Sequence, residues 1–317
     1  MHPSREFPVR GVIVRRQADA LRELGDQVQL IEVGARGGPL RYVTAQYRVA
    51  KAIRALRPDV VHLHFGYGTV AIPPVRTPII TTFYGDDLQG TADNRGRLTW
   101  KSRLGMAISY LAGRRSRRLI VVSDSLKTRL SKVLRDRALV VRDAVDPGLF
   151  RPLSRTAARQ RLGVPPDDVL VIFPHDVRQA TKRLSLAEAA VKRLQAKVRS
   201  ARLWVVNGAQ ADEMPWYYAA ADVLIVTSLL EAGPSSAKEA LACGLPVVSV
   251  PVGDTRLASE APAGFLLADA NPDDLARALA SVLLREGAER VSLLPPELTL
   301  ARAAQTLHEI YEDALRS

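Results

Sequence analysis

Glu231 and Glu239 stand eight positions apart in EAGPSSAKEALACGLPVV, residues 231–248, with Gly233, Pro234, Ser235 and Ser236 between them. Pro234 followed by Ser235 marks a helix start. Glu231 then belongs to the loop ahead of the helix and Glu239 lies about one turn inside it, an arrangement suited to two carboxylates gripping separate hydroxyl groups of one ligand. The N–H groups of Gly233, Ser235 and Ser236 at that helix start would meet an oxygen-rich or anionic ligand. The same residues admit a plainer reading, in which one glutamate complements the helix dipole and the other is solvated on an Ala-rich helix. A second constellation is HDVRQATKR, residues 175–183, directly after the apolar run VLVIFPH. Arg178 offers a planar fork of donors and Lys182 a point charge, together suited to a diphosphate; a solvated basic loop is the alternative.

Both constellations depend on where the chain places its strands. Short apolar runs recur at 28–34, 59–65, 78–85, 118–123, 138–145, 169–175, 201–208, 221–228, 245–253 and 264–269. Helical patterns near 15–24, 42–57, 97–113, 124–134, 183–198, 235–243, 271–284 and 297–315 alternate with them. Such alternation predicts an α/β class, parallel sheets covered by helices on both faces. Asp, Pro and Gly in DAVDPGLFRPL, residues 143–153, interrupt a strand before a fresh helical start at Ser154, which predicts domains at 1–148 and 149–317. Ligands in such sheets bind at the carboxyl ends of strands, so Arg178 and Lys182 are well placed, and a cleft between two domains is the default site. The entry MHPSREFPVRG reads as loop, and a helix precedes any strand, so the opening strand of the first βαβ unit is expected to be missing. Neither a G-x-G-x-x-G nor a Walker sequence occurs.

Composition narrows the setting. At 317 residues, 47% hydrophobic, the chain can build two cores of ordinary size. No apolar run approaches the ~18 residues of a membrane span, and the charged, Pro-containing start is unlike a signal peptide, so a cytoplasmic protein, free or peripheral on the inner membrane face, is expected. A single cysteine, Cys243, reads as a small buried residue, and five histidines at 2, 62, 64, 175 and 308 lack the spacing of a structural zinc site. The net charge of +12 sits in the first half: residues 1–150 hold 26 Lys/Arg against 13 Asp/Glu, leaving 19 against 20 for the rest. Its densest stretch, 95–118, has eight basic residues and no acid, with Trp100, Leu104, Ile108 and Leu111 at helical spacing. An anionic membrane surface is one partner for such a helix, nucleic acid a far weaker one, and packing of the apolar stripe on a sheet the bland alternative.

The segment LLEAGPSSAKEALACGLPVVSVPVGD resembles the glutamate, seven residues, glutamate signature of the retaining glycosyltransferases of family 4. DVRQATKR is similar to that family's Arg and Lys diphosphate clamp, MPWYYAAADVLIVTS to the lead into its donor loop, and DAVDPGLFRP to its interdomain hinge. RGVIVRRQADALRELGDQV, HLHFGYG and FYGDDLQG in the first half are similar to family segments too, and the likeness is greatest to the branch that builds bacterial envelope polysaccharide, as in teichuronic-acid-type enzymes. The resemblance implies a GT-B fold of two Rossmann-like domains, the first for a glycan or lipid-linked acceptor and the second for a nucleotide-diphosphate sugar, with the last helix crossing back to the first. It implies a retaining, metal-independent hexosyltransferase with no cofactor beyond the donor and no metal. Arg178 and Lys182 would neutralise the departing diphosphate, Glu239 would hold the ribose hydroxyls, and Glu231, with Gly233, Pro234 and Ser235, would hold the transferred sugar. Attack of the acceptor hydroxyl on the same face, with the leaving phosphate taking the proton, is the implied mechanism. Gly11, His64, Tyr84 and Asp87 are the acceptor-side positions.

This chain departs from the family pattern at Ala232, where glycine is usual and a positive φ would be restrictive, and at Tyr84, where histidine is usual. A shortened link from Asn207 to Met214 also omits a βα unit. A nucleotide-sugar epimerase of the same architecture, or an inactive truncated relative acting as a binding protein, are the alternative readings. Asp86 and Asp87 look like a metal pair but point apart on an extended chain, so loop capping is the expected role.

Overall fold

The computed structural model describes residues 11–32, 40–90, 98–253, 264–284 and 290–316. The chain divides into two compact units, Met1–Asp143 with Ala301–Ser317, and Ala144–Leu300.

In the first unit the helices are α1 (Val12–Glu23), α2 (Leu40–Leu56), α3 (Asp86–Gln89), α4 (Trp100–Arg115), α5 (Asp124–Arg129) and α6 (Lys132–Arg135). Its strands are β1 (Val61–His64), β2 (Ile79–Phe83), β3 (Arg118–Val121) and β4 (Ala138–Val140), parallel and ordered as they occur in the chain. All five residues of β2 are buried, as the near-continuous apolar run of a strand covered on both faces demands. The predicted strand at 28–34 is corrected: residues 26–32 are irregular, and 33–34 fall outside the described residues. Residues 28–32 supply β-branched side chains but pair with no strand among the described residues, and propensity alone does not make a strand. The expected missing opening strand would fall at residues 1–10, also outside the described residues.

The second unit carries α7 (Arg155–Leu162), β5 (Val169–Phe173), α8 (Leu184–Leu194), β6 (Ala201–Val205), α9 (Met214–Ala220), β7 (Val223–Val226), α10 (Ser235–Ala242), β8 (Val247–Ser249), β9 (Phe265–Leu267) and α11 (Pro272–Leu283). Its five parallel strands run β6-β5-β7-β8-β9. Alternate residues face opposite sides. Val171, Phe173, Val223 and Ile225 pack under α8 and α11, while Leu170, Ile172, Leu224 and Val226 pack against α10 residues Ala237, Ala240 and Leu241. From β5 the chain steps to one side for β6 and returns on the other side for β7, so the loops that leave β5 and β7 emerge next to each other at a topological switch point.

The last helix, α12 (Leu300–Arg316), packs with the first unit. His62 Nδ1 and the Tyr311 hydroxyl are 2.7 Å apart, Arg118 reaches Asp313 at 2.5 Å, and His308 meets Asp26 at 3.0 Å.

Candidate active site

The switch point is where the functional side chains of the second unit gather. The loop after β5 ends in a short 3-10 turn, Ala180–Lys182, and the loop after β7 runs from Thr227 to the start of α10. Backbone and side chains lace the two loops together. Leu229 N donates to Thr181 O at 2.7 Å, and the Thr227 hydroxyl to Lys182 O at 2.8 Å. Arg183 donates through Nε to Thr227 O at 2.5 Å and through Nη2 to Ser228 O at 3.1 Å. These bonds hold Arg183 at φ 52°, a left-handed conformation that costs a non-glycine residue about 1–2 kcal/mol. The turn thereby presents Lys182 toward the second loop.

Lys182 Nζ bonds Glu231 Oε1 directly, and the Ser228 hydroxyl donates to the same oxygen at 2.7 Å. The pair is largely removed from water, the side chains being 18% and 16% exposed. A cation and a carboxylate in that setting form a donor and acceptor set that a ligand with both phosphate and hydroxyl groups can engage. Glu239, on α10, accepts instead from the buried Tyr218 hydroxyl at 2.9 Å, which fixes one carboxylate oxygen. Pro234 caps α10 without a side-chain hydrogen bond to the helix start formed by Ser235 and Ser236.

Arg178 is not brought to Lys182. Its guanidinium chelates Asp176, at 2.8 Å from Nη2 to Oδ2, and its side chain is 83% exposed. The aspartate two residues earlier, within the same loop, is the nearest counter-charge, and the fork closes on it. Of the four donor-side charges, Lys182 and Glu231 meet, while Arg178 and Glu239 keep separate partners.

Ala232 is not among the described non-glycine residues with positive φ, which are Arg57, Phe65 and Arg183, so alanine fits where the resemblance places glycine. The glycine the loop requires is Gly253. Its φ is +67°, and a Cβ there would lie 3.2 Å from both Glu231 Cβ and Pro234 Cδ. Gly233 has a different neighbour: a Cβ on it would stand 3.3 Å from the ammonium of Lys238, a side chain only 1% exposed.

Two groups were not legible as site residues in the sequence. His175 follows β5, stacks edge-on against Phe173 at 5.1 Å, and has a buried Nε2 without a protein hydrogen-bond partner. Burial, and then the charge of Lys182, push its pKa down to about 3, so it is a neutral imidazole at physiological pH. The Ser236 hydroxyl, at the start of α10, is likewise buried and unpartnered. The signal for both is position at the ends of β5 and of the post-β7 loop, which only the sheet order makes adjacent.

In the first unit, Gly11 takes the left-handed conformation at the start of α1, and its carbonyl accepts from Arg15 N at 3.1 Å. His64 Nδ1 lies 2.7 Å from the Tyr84 hydroxyl, and burial lowers the His64 pKa to about 4. His62 stacks 4.2 Å from His64 and uses both ring nitrogens, on Tyr311 and on Thr82, so it packs the sheet end. Asp87 is fully buried and accepts from three backbone N–H groups, Gly66 at 3.1 Å, Tyr84 at 3.1 Å and Gly85 at 3.0 Å. It therefore braces the loop that carries Tyr84, whereas its neighbour Asp86 is exposed. Thus the structure joins His64 to Tyr84 and places Asp87 beneath them; Gly11 stands apart at α1. Cys243 is buried, and its thiol pKa is pushed up to about 12 by that burial.

Comparison with known proteins follows the same division. The family model described as Glycosyltransferase Family 4 matches residues 6–149, and that described as Glycosyl transferases group 1 matches residues 172–285. A D-inositol 3-phosphate glycosyltransferase of Geodermatophilus obscurus is 33% identical over 183 residues, 47% of this chain and 41% of that protein. One from Saccharomonospora viridis is 32% identical over 199 residues, 52% of this chain and 46% of that protein. The chain therefore aligns with rather less than half the length of these relatives. Among solved structures, sucrose-phosphate synthase from Thermosynechococcus elongatus superposes with TM-score 0.68 at 17% identity, covering 96% of this chain and 93% of that one. A glycosyltransferase from Rickettsia africae gives 0.69 at 16% identity, covering 97% and 96%. Anabaena HepE in complex with UDP-glucose gives 0.63 at 16% identity, covering 93% and 88%. At these identities the likeness shows the fold, two Rossmann-like domains of the GT-B class.

Proposed function

We infer that the chain belongs to the family 4 glycosyltransferases, whose two domain models it matches over residues 6–149 and 172–285, and that it transfers a sugar from a nucleoside-diphosphate donor to a hydroxyl acceptor. The observation that carries this reading is the Lys182–Glu231–Ser228 cluster at the switch point of the second unit, beside the uncapped start of α10. Lys182 supplies positive charge for the diphosphate as the glycosidic bond to phosphate breaks. Glu231 and Ser228 accept and donate to hydroxyls of the sugar, and the Glu239 carboxylate accepts from the ribose hydroxyls. Arg178 joins the diphosphate by leaving Asp176, a move its exposure permits.

On the resemblance to family 4, the reaction we propose is retaining transfer without a metal, with Lys182 supplying charge stabilisation: the acceptor hydroxyl attacks the same face that the phosphate leaves, the new glycosidic bond forms, and the proton passes to the leaving phosphate oxygen. The donor is a nucleotide sugar of the kind held by Anabaena HepE, with UDP-glucose as the first candidate. The acceptor is a polyol or glycan hydroxyl, either an inositol phosphate of the kind named for the relatives or a glycan or lipid-linked acceptor of envelope polysaccharide synthesis. It is received by the first unit near His64 and Tyr84.

The test is a screen of UDP, ADP, GDP and their sugars by calorimetry, followed by transfer to inositol phosphate and to lipid-linked glycan acceptors, with wild type and Glu239→Ala. One nucleotide sugar binding tightly, transferring its sugar with retained anomeric configuration and losing at least tenfold in affinity on Glu239→Ala supports the reading; no binding, or an unchanged affinity, overturns it. Release of an epimerised sugar without any acceptor would assign the chain to epimerase chemistry.

A further inference from the structure

Helix α4 is built inside out. Its Thr99 hydroxyl caps the start, accepting from Ser102 N at 3.2 Å, and the face it turns to the first unit is made of small residues. Ser109, Ala112 and Gly113 are buried; Gly105 sits against the Tyr67 ring, and Gly113 against Leu134. The fit is close: a Cβ on Gly66 would fall 2.6 Å from Ser109. Large apolar side chains lie on the opposite face. Trp100 is 70%, Leu104 53% and Leu111 51% exposed, with exposed Ala107 between them, at helical spacings of four, three and four. The expectation that this stripe packs on the sheet is therefore overturned at Trp100, Leu104 and Leu111, while Ile108 is half-buried; the small-residue face packs against the unit instead.

The exposed ridge is bordered by charge of one sign. Arg103 and Arg114 lie on the same exposed face, and no Asp or Glu occurs between Asp93 and Asp124. The Tyr110 hydroxyl donates to Arg129 O at 3.3 Å, which sets α4 beside the end of α5, and α6 continues the surface with exposed Lys132, Val133 and Arg135. A soluble partner that buried Trp100, Leu104 and Leu111 would have to neutralise four or more basic groups around them. An anionic bilayer meets both demands at once, since it accepts aromatic and aliphatic side chains between head groups that carry negative charge. No described helix is long and apolar enough to cross a membrane. We propose that α4, with the adjoining α5–α6 surface, is a docking face that lays the first unit on an anionic lipid bilayer, with Trp100, Leu104 and Leu111 inserted and Arg103, Arg114, Arg129 and Lys132 at the head groups.

The test is co-sedimentation of the full chain with vesicles of phosphatidylcholine alone and of phosphatidylcholine with phosphatidylglycerol. Wild type pellets with the anionic vesicles only, and 1 M salt, which shortens the screening length to about 3 Å, releases it. Arg103→Gln with Arg114→Gln weakens partitioning roughly 25-fold, from about fivefold for each charge near the surface. Trp100→Ala with Leu104→Ala and Leu111→Ala weakens it at least tenfold, with a cooperative thermal melt showing that the fold is retained. The proposal is overturned if wild type stays in the supernatant with anionic vesicles, or if either set of substitutions binds as wild type does. It is equally overturned if the protein is a dimer that the apolar substitutions dissociate without any effect on vesicle binding.

Discussion

Lys182 and Glu231 satisfy one another in the protein as it stands, so substitutions at the two positions should move nucleotide affinity in opposite directions. With both side chains more than four-fifths buried, the pair lies between exposed pairs worth about 0–1 kcal/mol and buried ones whose disruption costs about 3–5 kcal/mol. The direct Coulomb term at an effective dielectric near 20 is about 4 kcal/mol at 4 Å, and desolvation offsets most of it, leaving about 1 kcal/mol that a diphosphate must overcome to recruit Lys182. Glu231→Gln removes that competition while keeping a hydrogen-bond acceptor for Ser228. Affinity for UDP alone should then rise about fivefold, while sugar transfer falls roughly 10- to 100-fold with the loss of a charged acceptor for sugar hydroxyls. Lys182→Met should weaken UDP about tenfold or more, the value of one charge-assisted contact. Calorimetry with UDP, repeated with ADP and GDP, reads both signs. If both substitutions weaken the nucleotide equally, the pair is a structural tie between the two loops and the assignment of Lys182 to the diphosphate fails.

Gly253→Ala forces a side chain into a left-handed position 3.2 Å from Glu231 Cβ, so transfer should drop roughly tenfold or more through misplacement of Glu231, with about 1–2 kcal/mol of lost stability by urea titration; unchanged transfer would refute the coupling. Asp87→Ala leaves the N–H groups of Gly66, Tyr84 and Gly85 without their acceptor and should cost about 3 kcal/mol or more by the same titration. Burial raises the Asp87 pKa from 3.8 to about 6, outweighing the backbone bonds, so the proton is held more tightly in the folded state. Its contribution to stability should therefore be fully present below about pH 4 and be lost as pH rises through about 6, a slope that Asp87→Ala removes. The hydrogen bond that His308 donates to Asp26 raises the His308 pKa above 6.5, so this contact stabilises below that value and fades as pH rises through the raised one; Asp26→Asn should destabilise the fold at pH 5.5 and be nearly neutral at pH 9, by thermal melts.

Strand and helix identity was legible in the sequence wherever an element's own periodicity decided it. Nine of the apolar runs contain the nine strands found among the described residues, and the Pro234–Ser235 helix start stands where its residue types predict. The positions of Lys182 and Glu231 followed from that, since both come just after strands whose carboxyl ends carry ligands in this class of sheet. Four other features were decided by the three-dimensional arrangement of side chains and backbone, which no local periodicity records. Arg178 closes on Asp176, two residues earlier, instead of reaching Lys182, and the positive φ packed against Glu231 falls on Gly253 rather than on Ala232. The run at 28–34 has no strand through residue 32, since β-branched residues do not make a ladder by themselves. Most telling is α4, whose spacing announces an apolar stripe without saying which way it faces. A stripe is a property of one helix; its burial depends on the residue sizes of both faces and on the shape of what they meet, and here Gly105, Ser109, Ala112 and Gly113 fit the unit more closely than Trp100, Leu104 and Leu111 could.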